Sequence, residues 1–262
     1  MKSICLLLSA LALCHSAFAT ELKEHPGFAP VFEKAGVTGT FAMLDPVANV
    51  IHVHNPERAQ KGYVPASTFK LANSVIGLDS GTIASVDEVL PYGGKPQPIA
   101  AWEKDMPLRE AIKVSNVPVY QELARRIGLE RMKAGVKKLE YGNQEVGTVV
   151  DRFWLDGPLE ISAVQQLDFL HKLAEGKLPV SEKAMKAVQE IALLEETPSY
   201  RLHGKTGWQR DAKTKVGWFV GWVHRDGRNY PFALNMDMTE MKQAPVRVEV
   251  AKECLKVLGK LD

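Results

Sequence analysis

The sequence predicts an α+β domain, on three observations. Runs rich in β-branched and aromatic residues, reading as strands, occur near the N-terminus (39–54) and again near the C-terminus (216–238). The stretch between them, from about 100 to 198, carries apolar residues at helical spacing. No linker, internal repeat or low-complexity tract divides the 262 residues. The expected architecture is one antiparallel sheet built from strands of both ends and flanked by helices, with an all-helical lobe over about 100–198.

The first 19 residues differ in kind from the rest. Lys2, an apolar run from Ile4 to Leu13, and Ala17-Phe18-Ala19 form the pattern of a secretory signal. Cleavage is expected after Ala19, leaving one exported, periplasmic domain over 20–262. The run is too short for the ~30 Å hydrocarbon core of a bilayer, which takes about 20 apolar residues, and no later stretch is long enough. No membrane attachment is therefore expected of the mature chain. Leu11-Ala12-Leu13-Cys14 puts leucine where a lipoprotein signal wants a small residue, which argues against lipidation. Cys5 and Cys14 would leave with the signal, so no intrachain disulfide is expected. Cys254, inside a helical pattern, reads as a small buried hydrophobe.

The elements follow in order. Thr40 to Leu44 and Val50 to His54, around Asp45-Pro46, read as two strands and a turn. Ser67 to Leu78 is apolar on nearly every face, the mark of a buried helix. Helices are expected over Leu108–Val114, Pro118–Ile127 (stopped by Gly128), Glu130–Leu139, Ser162–Ala174 (stopped by Gly176) and Ser181–Glu196. Val216–Val223, a turn at Asp226-Gly227, and Tyr230–Met238 form a hairpin pattern. A last helix runs from about Val246 to Leu258.

Composition narrows the function. With 45% hydrophobic and 24% charged residues the chain is of ordinary globular make-up, and at this length it buries about three quarters of its unfolded surface without disulfide staples. A net charge of +2, from 33 basic and 31 acidic residues, supplies no basic stripe, so nucleic acid is not an expected partner. His52 and His54 alternate on one strand, but no further histidine or cysteine stands at ligand spacing, so no metal is expected. Glu103, Asp105, Glu110 and Glu122 sit in solvated helical patterns with nothing to mark an acid/base pair.

Three short elements carry chemistry. Ser67-Thr68-Phe69-Lys70 sets a hydroxyl and an amine three residues apart, on one face of the first turn of the apolar helix. No other serine of the chain has a lysine at that spacing. A serine nucleophile needs a neighbouring base. An amine with a solution pKa of about 10.4 becomes one only when burial strips water from its charged form, and the helix around Lys70 is apolar enough to do that. The plain alternative is a capping serine followed by a lysine that snorkels to solvent. The second element, Ser115-Asn116-Val117, lies between two helical patterns, where polar residues ordinarily cap. The third is His203-Gly204-Lys205-Thr206-Gly207-Trp208. Here Gly207 offers no side chain against a substrate lying along the strand edge, and the plain alternative is a glycine-punctuated edge strand. Gly204-Lys205-Thr206 also resembles a phosphate loop, but Ser199 stands where that motif requires glycine.

Together and in this order the three elements resemble those of the serine β-lactamases and penicillin-binding proteins. Valine at the third position of Ser115-Asn116-Val117, with Tyr141-Gly142-Asn143, Phe153-Trp154 and Pro65-Ala66 ahead of Ser67, makes the chain most similar to class D, the oxacillinases. The likeness runs from about Gly39 to the final helix. It implies hydrolysis of the β-lactam amide of penicillin- and oxacillin-type small molecules, and hence antibiotic resistance, through a Ser67 acyl-enzyme. No separate cofactor is implied, but carbon dioxide is held as a covalent carbamate on Lys70, with Trp154 donating its indole N–H to it. By the same resemblance Ser115 relays a proton to the leaving nitrogen beside Lys205, and Val117 and Phe69 keep the pocket dry. The backbone amides of Ser67 and Trp208 form the oxyanion hole, Thr206 and Arg247 hold the substrate carboxylate, and Tyr141, Gly142 and Asn143 make a structural turn near the pocket. Two neighbouring readings share the acylation chemistry: a D,D-peptidase of the cell wall, and the sensor domain of a β-lactam receptor. A turnover assay separates them, since both would stop at a single burst.

Overall fold

A computed structural model describes residues 20–210 and 215–262. The expected signal segment, with Cys5 and Cys14, lies outside the described residues. In chain order the elements are β1 (Glu21–Glu24), α1 (Ala29–Ala35), β2 (Gly39–Asp45), β3 (Val50–His54), α2 (Pro56–Gln60) and α3 (Lys70–Asp79), the last entered through a 3-10 turn at Ala66–Phe69. Then come β4 (Val89–Leu90), β5 (Met106–Pro107), α4 (Leu108–Ala111), α5 (Val117–Ile127), α6 (Leu129–Lys138), α7 (Phe153–Asp156), α8 (Ala163–Ala174) and α9 (Glu182–Ile191). The C-terminal part is β6 (Leu193–Glu196), β7 (Arg201–Gln209), β8 (Val216–Arg225), β9 (Arg228–Asp237) and α10 (Ala244–Val257).

The α+β expectation holds: strands from both ends complete one seven-stranded sheet, in the order β1-β3-β2-β9-β8-β7-β6. β8 and β9 are joined by Asp226-Gly227, both at positive φ (52° and 72°), the two-residue turn whose twist matches the strands it links. The sheet is mixed rather than wholly antiparallel, because β1 adds to the edge parallel to β3. β1 reads Glu-Leu-Lys-Glu and is mostly exposed, so it shows no alternation by which to find it.

Both faces of the sheet are covered, and side-chain alternation sorts the residues. Trp218, Val220 and Trp222 of β8 and Ala233 of β9 enter the larger core, beneath α3, α5, α6, α8 and α9. Phe41 and Met43 of β2, Phe219 and Val223 of β8, and Phe232 and Leu234 of β9 face α1 and α10. This is why β8 reads as an almost unbroken apolar run. Cys254 is buried in the second core, and burial pushes its thiol up to about 12.

Three helices differ from expectation. The Ser67–Leu78 helix starts as a 3-10 turn and becomes α-helical only at Lys70; Leu108–Val114 shortens to α4; and Ser181–Glu196 ends at Ile191. Beyond Ile191, Leu193–Glu196 pairs with β7, so this stretch belongs to the sheet. With the small β4/β5 ladder, it shows that 100–198 is not purely helical. β6 pairs only with Arg201–His203; among the described residues, no strand covers the outer side of β7 from Lys205 to Gln209.

Candidate active site

The site is assembled where this open half of β7 meets the 3-10 turn. Tyr63 bridges to Ile161, and Trp218 Nε1 donates to Val64 O at 3.0 Å, fixing the approach to the turn from two sides. Ala66 then sits at φ +49°, a conformation that costs a residue with a β-carbon about 1 kcal/mol. Thr68 Oγ1 donates to Pro65 O (2.8 Å) and accepts from Gln166 Nε2 of α8 (3.1 Å), so the turn is held from inside. Gly207 lies against it: a β-carbon there would stand 2.8 Å from Pro65 O and 3.1 Å from Thr68 Cγ2. The glycine thus makes room for the serine's own turn as well as lining the cleft.

Lys70, first residue of α3, does not snorkel: it is 0% exposed, with Nζ 2.7 Å from Ser67 Oγ. Burial, and secondarily the Lys205 cation, hold its amine well below the usual lysine range. The shell beside it is aromatic. Phe69 stacks on Trp154 (5.6 Å, 28°) and meets Phe153 and Tyr141 edge-on at 5.1 and 5.4 Å. Trp154 is fully buried, and its Nε1 has no hydrogen-bond partner among the described residues. A buried donor left open costs about 1–3 kcal/mol, which makes this atom conspicuous.

Tyr141-Gly142-Asn143 braces that shell. Tyr141 OH accepts from Gln166 Nε2 at 3.2 Å. Asn143 donates through Nδ2 to Pro158 O (2.9 Å), and its Oδ1 accepts from the Glu160 amide (3.1 Å), tying this loop to the segment that follows α7 and Trp154. Gly142, at φ +58°, passes so close to the Glu160 carbonyl that a β-carbon would overlap it.

Ser115 and Asn116 divide their work. Asn116 is the cap: its Oδ1 accepts from Val119 N (3.1 Å), and its Nδ2 donates to Trp102 O (3.2 Å). Ser115, at φ +55°, is released from capping, and its Oγ accepts from Lys205 Nζ at 3.0 Å. Lys205 also donates to Thr206 O at 2.9 Å; burial first, and the Arg247 guanidinium second, push its amine down to about 7. Arg247 of α10 donates to Gly207 O at 2.6 Å, its Nε is buried without a partner among the described residues, and burial lowers its guanidinium to about 10.

Ser67, Ser115, Val117, Thr206, Trp208 and Arg247 line a common cleft of about 320 Å³. Lys70 and Trp154 are fully buried and do not line the cleft. Ile99, Trp102, Leu155 and Met241 give the cleft an apolar side that no motif announced. Gln166 was equally silent, because it acts through hydrogen bonds to Thr68 and Tyr141 across long sequence distances. His52 and His54 gather no third ligand: among the described residues no group of three or more His, Cys, Asp or Glu could hold a metal. No helix among them is long and apolar enough to cross a membrane.

A serine backed by a buried lysine on this sheet defines a serine acyl-transfer protein, and residues 39–256 match the family described as the penicillin binding protein transpeptidase domain. The chain is 36% identical to β-lactamase OXA-10 of Pseudomonas aeruginosa over 262 residues (99% of this chain, 98% of the relative). It is 38% identical to β-lactamase OXA-48 of Klebsiella pneumoniae over 256 residues (96% and 97%). Among solved structures it is similar to FUS-1 (OXA-85), a class D β-lactamase from Fusobacterium nucleatum subsp. polymorphum, with a TM-score of 0.89 at 41% identity, covering 92% of this chain and 100% of that one. The chain belongs to the class D β-lactamases and is a serine β-lactamase, which sets aside the peptidase and sensor readings.

Proposed function

We propose that the chain hydrolyses penicillin- and oxacillin-type β-lactams through an acyl-enzyme on Ser67, with Lys70 as the base in both half-reactions. The observation that carries this reading is a fully buried amine 2.7 Å from the serine hydroxyl. Burial favours the neutral amine, which can accept a proton. A carbamate formed on Lys70 with carbon dioxide would supply an anionic oxygen base in its place. The residues fit such a group: only a neutral amine can take it up, and the open indole N–H of Trp154 is a donor-only atom suited to an anionic oxygen.

In acylation, Ser67 Oγ loses its proton to Lys70 and attacks the lactam carbonyl carbon. The backbone amides of Ser67 and Trp208 face the developing oxyanion, Trp208 from the stretch of β7 whose outer side no described strand covers. As the C–N bond breaks, Ser115 hands a proton to the leaving nitrogen and recovers one from Lys205, whose amine near 7 suits such a relay. Thr206 and Arg247 hold the substrate carboxylate, while Val117 and Phe69 exclude water. Before deacylation the proton taken up by Lys70 passes to Lys205, which restores both amines; water then gives a proton to Lys70 as its oxygen attacks the acyl carbonyl, and that proton returns to Ser67 Oγ as the ester bond breaks. Action in the periplasm, after loss of residues 1–19, would make the protein an agent of β-lactam resistance.

Mass spectrometry of the protein mixed with a penicillin should find a transient adduct on the peptide containing Ser67. Activity should fall in acidic, bicarbonate-free buffer and return when bicarbonate is added; indifference to bicarbonate would exclude the carbamate.

A further inference from the structure

The underside of Lys70 is gripped by a side chain outside every motif. Tyr120, on α5, is fully buried, and its ring centroid lies 5.3 Å from Lys70 Nζ. Its hydroxyl lies 3.0 Å from Ser74 Oγ, and Ser74 Oγ donates to Lys70 O at 2.8 Å. Ser74 has one hydroxyl hydrogen, spent on that carbonyl, so Tyr120 must donate to Ser74. The chain Tyr120 O–H to Ser74 O–H to Lys70 C=O is thereby oriented, and burial keeps the phenol protonated by raising it above its usual range. Asn73 Nδ2, donating to Tyr120 O at 3.2 Å, locks the same pair of helices.

We propose that Tyr120 is a positioning residue that holds Lys70 at both ends, fixing its backbone through Ser74 and biasing its amine toward the cation through the ring face. The groups around Lys70 make the ring's contribution decisive. The turn supplies the neutral Ser67, β7 supplies the cation of Lys205, and α5 supplies Tyr120; burial and Lys205 both disfavour charge on Lys70. Among these, the negative face of the ring opposes them, and a desolvated cation over an aromatic face is where that attraction is greatest. Tyr120 would thus limit how completely Lys70 becomes neutral, and so the pH at which the base is ready. The consequence for catalysis rests on the proposed role of Lys70; the hold on its backbone and the protonation of its amine do not.

The test follows Lys70 by NMR of protein carrying 13Cε-labelled lysine, in carbon-dioxide-free buffer, so that it does not depend on turnover or carbamate. Tyr120→Phe keeps the ring and should leave the Lys70 titration midpoint within about 0.3 unit, while lowering Tm by about 3 °C for the lost hydrogen bond. Tyr120→Leu removes the ring and should lower the midpoint by about one unit, a tenfold rise in the neutral to charged ratio. Because Tyr120→Leu also opens a cavity in the core, 4-fluoro- and 3,4,5-trifluorophenylalanine at position 120 serve as a second series that drains the ring face with little change in size. The midpoint should then fall stepwise from that of Tyr120→Phe. A midpoint that ignores fluorination, or one that Tyr120→Phe moves as far as Tyr120→Leu, overturns the proposal. If the midpoints behave as stated while activity stays indifferent to bicarbonate, the carbamate fails and this inference stands.

Discussion

Gly207 and Pro65 approach so closely that a β-carbon on the glycine would stand 2.8 Å from the proline carbonyl oxygen. The strand that borders the cleft and the turn that bears Ser67 are therefore fitted backbone to backbone. Gly207→Ala should push the turn off β7, at a cost of about 1–3 kcal/mol. Urea unfolding should register that loss, and stopped-flow acylation of Ser67 should slow at least tenfold. Acylation at the native rate would mean that the contact does not set the position of Ser67.

On the proposed mechanism Trp154→Ala should impair deacylation more than acylation, because it removes a buried indole N–H, without a partner among the described residues, that would meet the carbamate on Lys70, while Ser67 keeps its own turn. Pre-steady-state kinetics with a chromogenic β-lactam should show a retained burst and a steady rate lowered by about 10²–10³. An unchanged ratio of burst to steady rate would remove Trp154 from the mechanism.

Arg247→Ala should raise KM for carboxylate-bearing β-lactams by about tenfold, and it should also move a proton. With the neighbouring guanidinium gone, Lys205 loses the cation that helps depress it and its titration shifts upward from about 7. The alkaline limb of the kcat profile should then move to higher pH. A KM effect with no movement of that limb would show that the two side chains do not communicate electrostatically.

Stability should rise with pH above neutrality in bicarbonate-free buffer. Lys205 titrates near 7 when folded and near 10.5 when unfolded, so across that interval the unfolded chain binds more protons and raising the pH favours the native state. Its slope is at most about 1.4 kcal/mol per pH unit, and Lys70, depressed in the same direction, adds to it. Unfolding midpoints in urea at pH 7, 8 and 9 should increase; a flat or falling series would show the amines to be hydrated.

The side chains that the structure gathers at the cleft were more legible in the sequence than their setting. Ser67 and Lys70 stand three residues apart, so one helical turn suffices to join them, and Lys205-Thr206-Gly207 and Ser115 need only a strand and an interhelical turn. What it could not announce depends on contacts across long stretches of chain. Gln166 reaches back 98 residues to Thr68. Tyr120 is one more apolar-face residue on an amphipathic helix until α3 packs on it. Asn116 and Ser115 look like equivalent caps until the backbone turns one of them outward. Gly207 was legible as special, but the sequence pointed to a substrate lying along the strand, whereas the structure adds a neighbour of its own. β1 and β6 went unseen because they are short edge pieces whose identity comes from the strands they join.

The indole N–H of Trp154 is buried without a partner among the described residues, so a group that met it would favour the folded chain. A small molecule that joins the native protein and not the unfolded one adds RT ln(1 + [L]/Kd) to its durability. If dissolved carbon dioxide fills that role, then the resistance of this protein to heat becomes a gauge of the gas around it. The same preparation would melt earlier after degassing and later under an enriched atmosphere, with no antibiotic present.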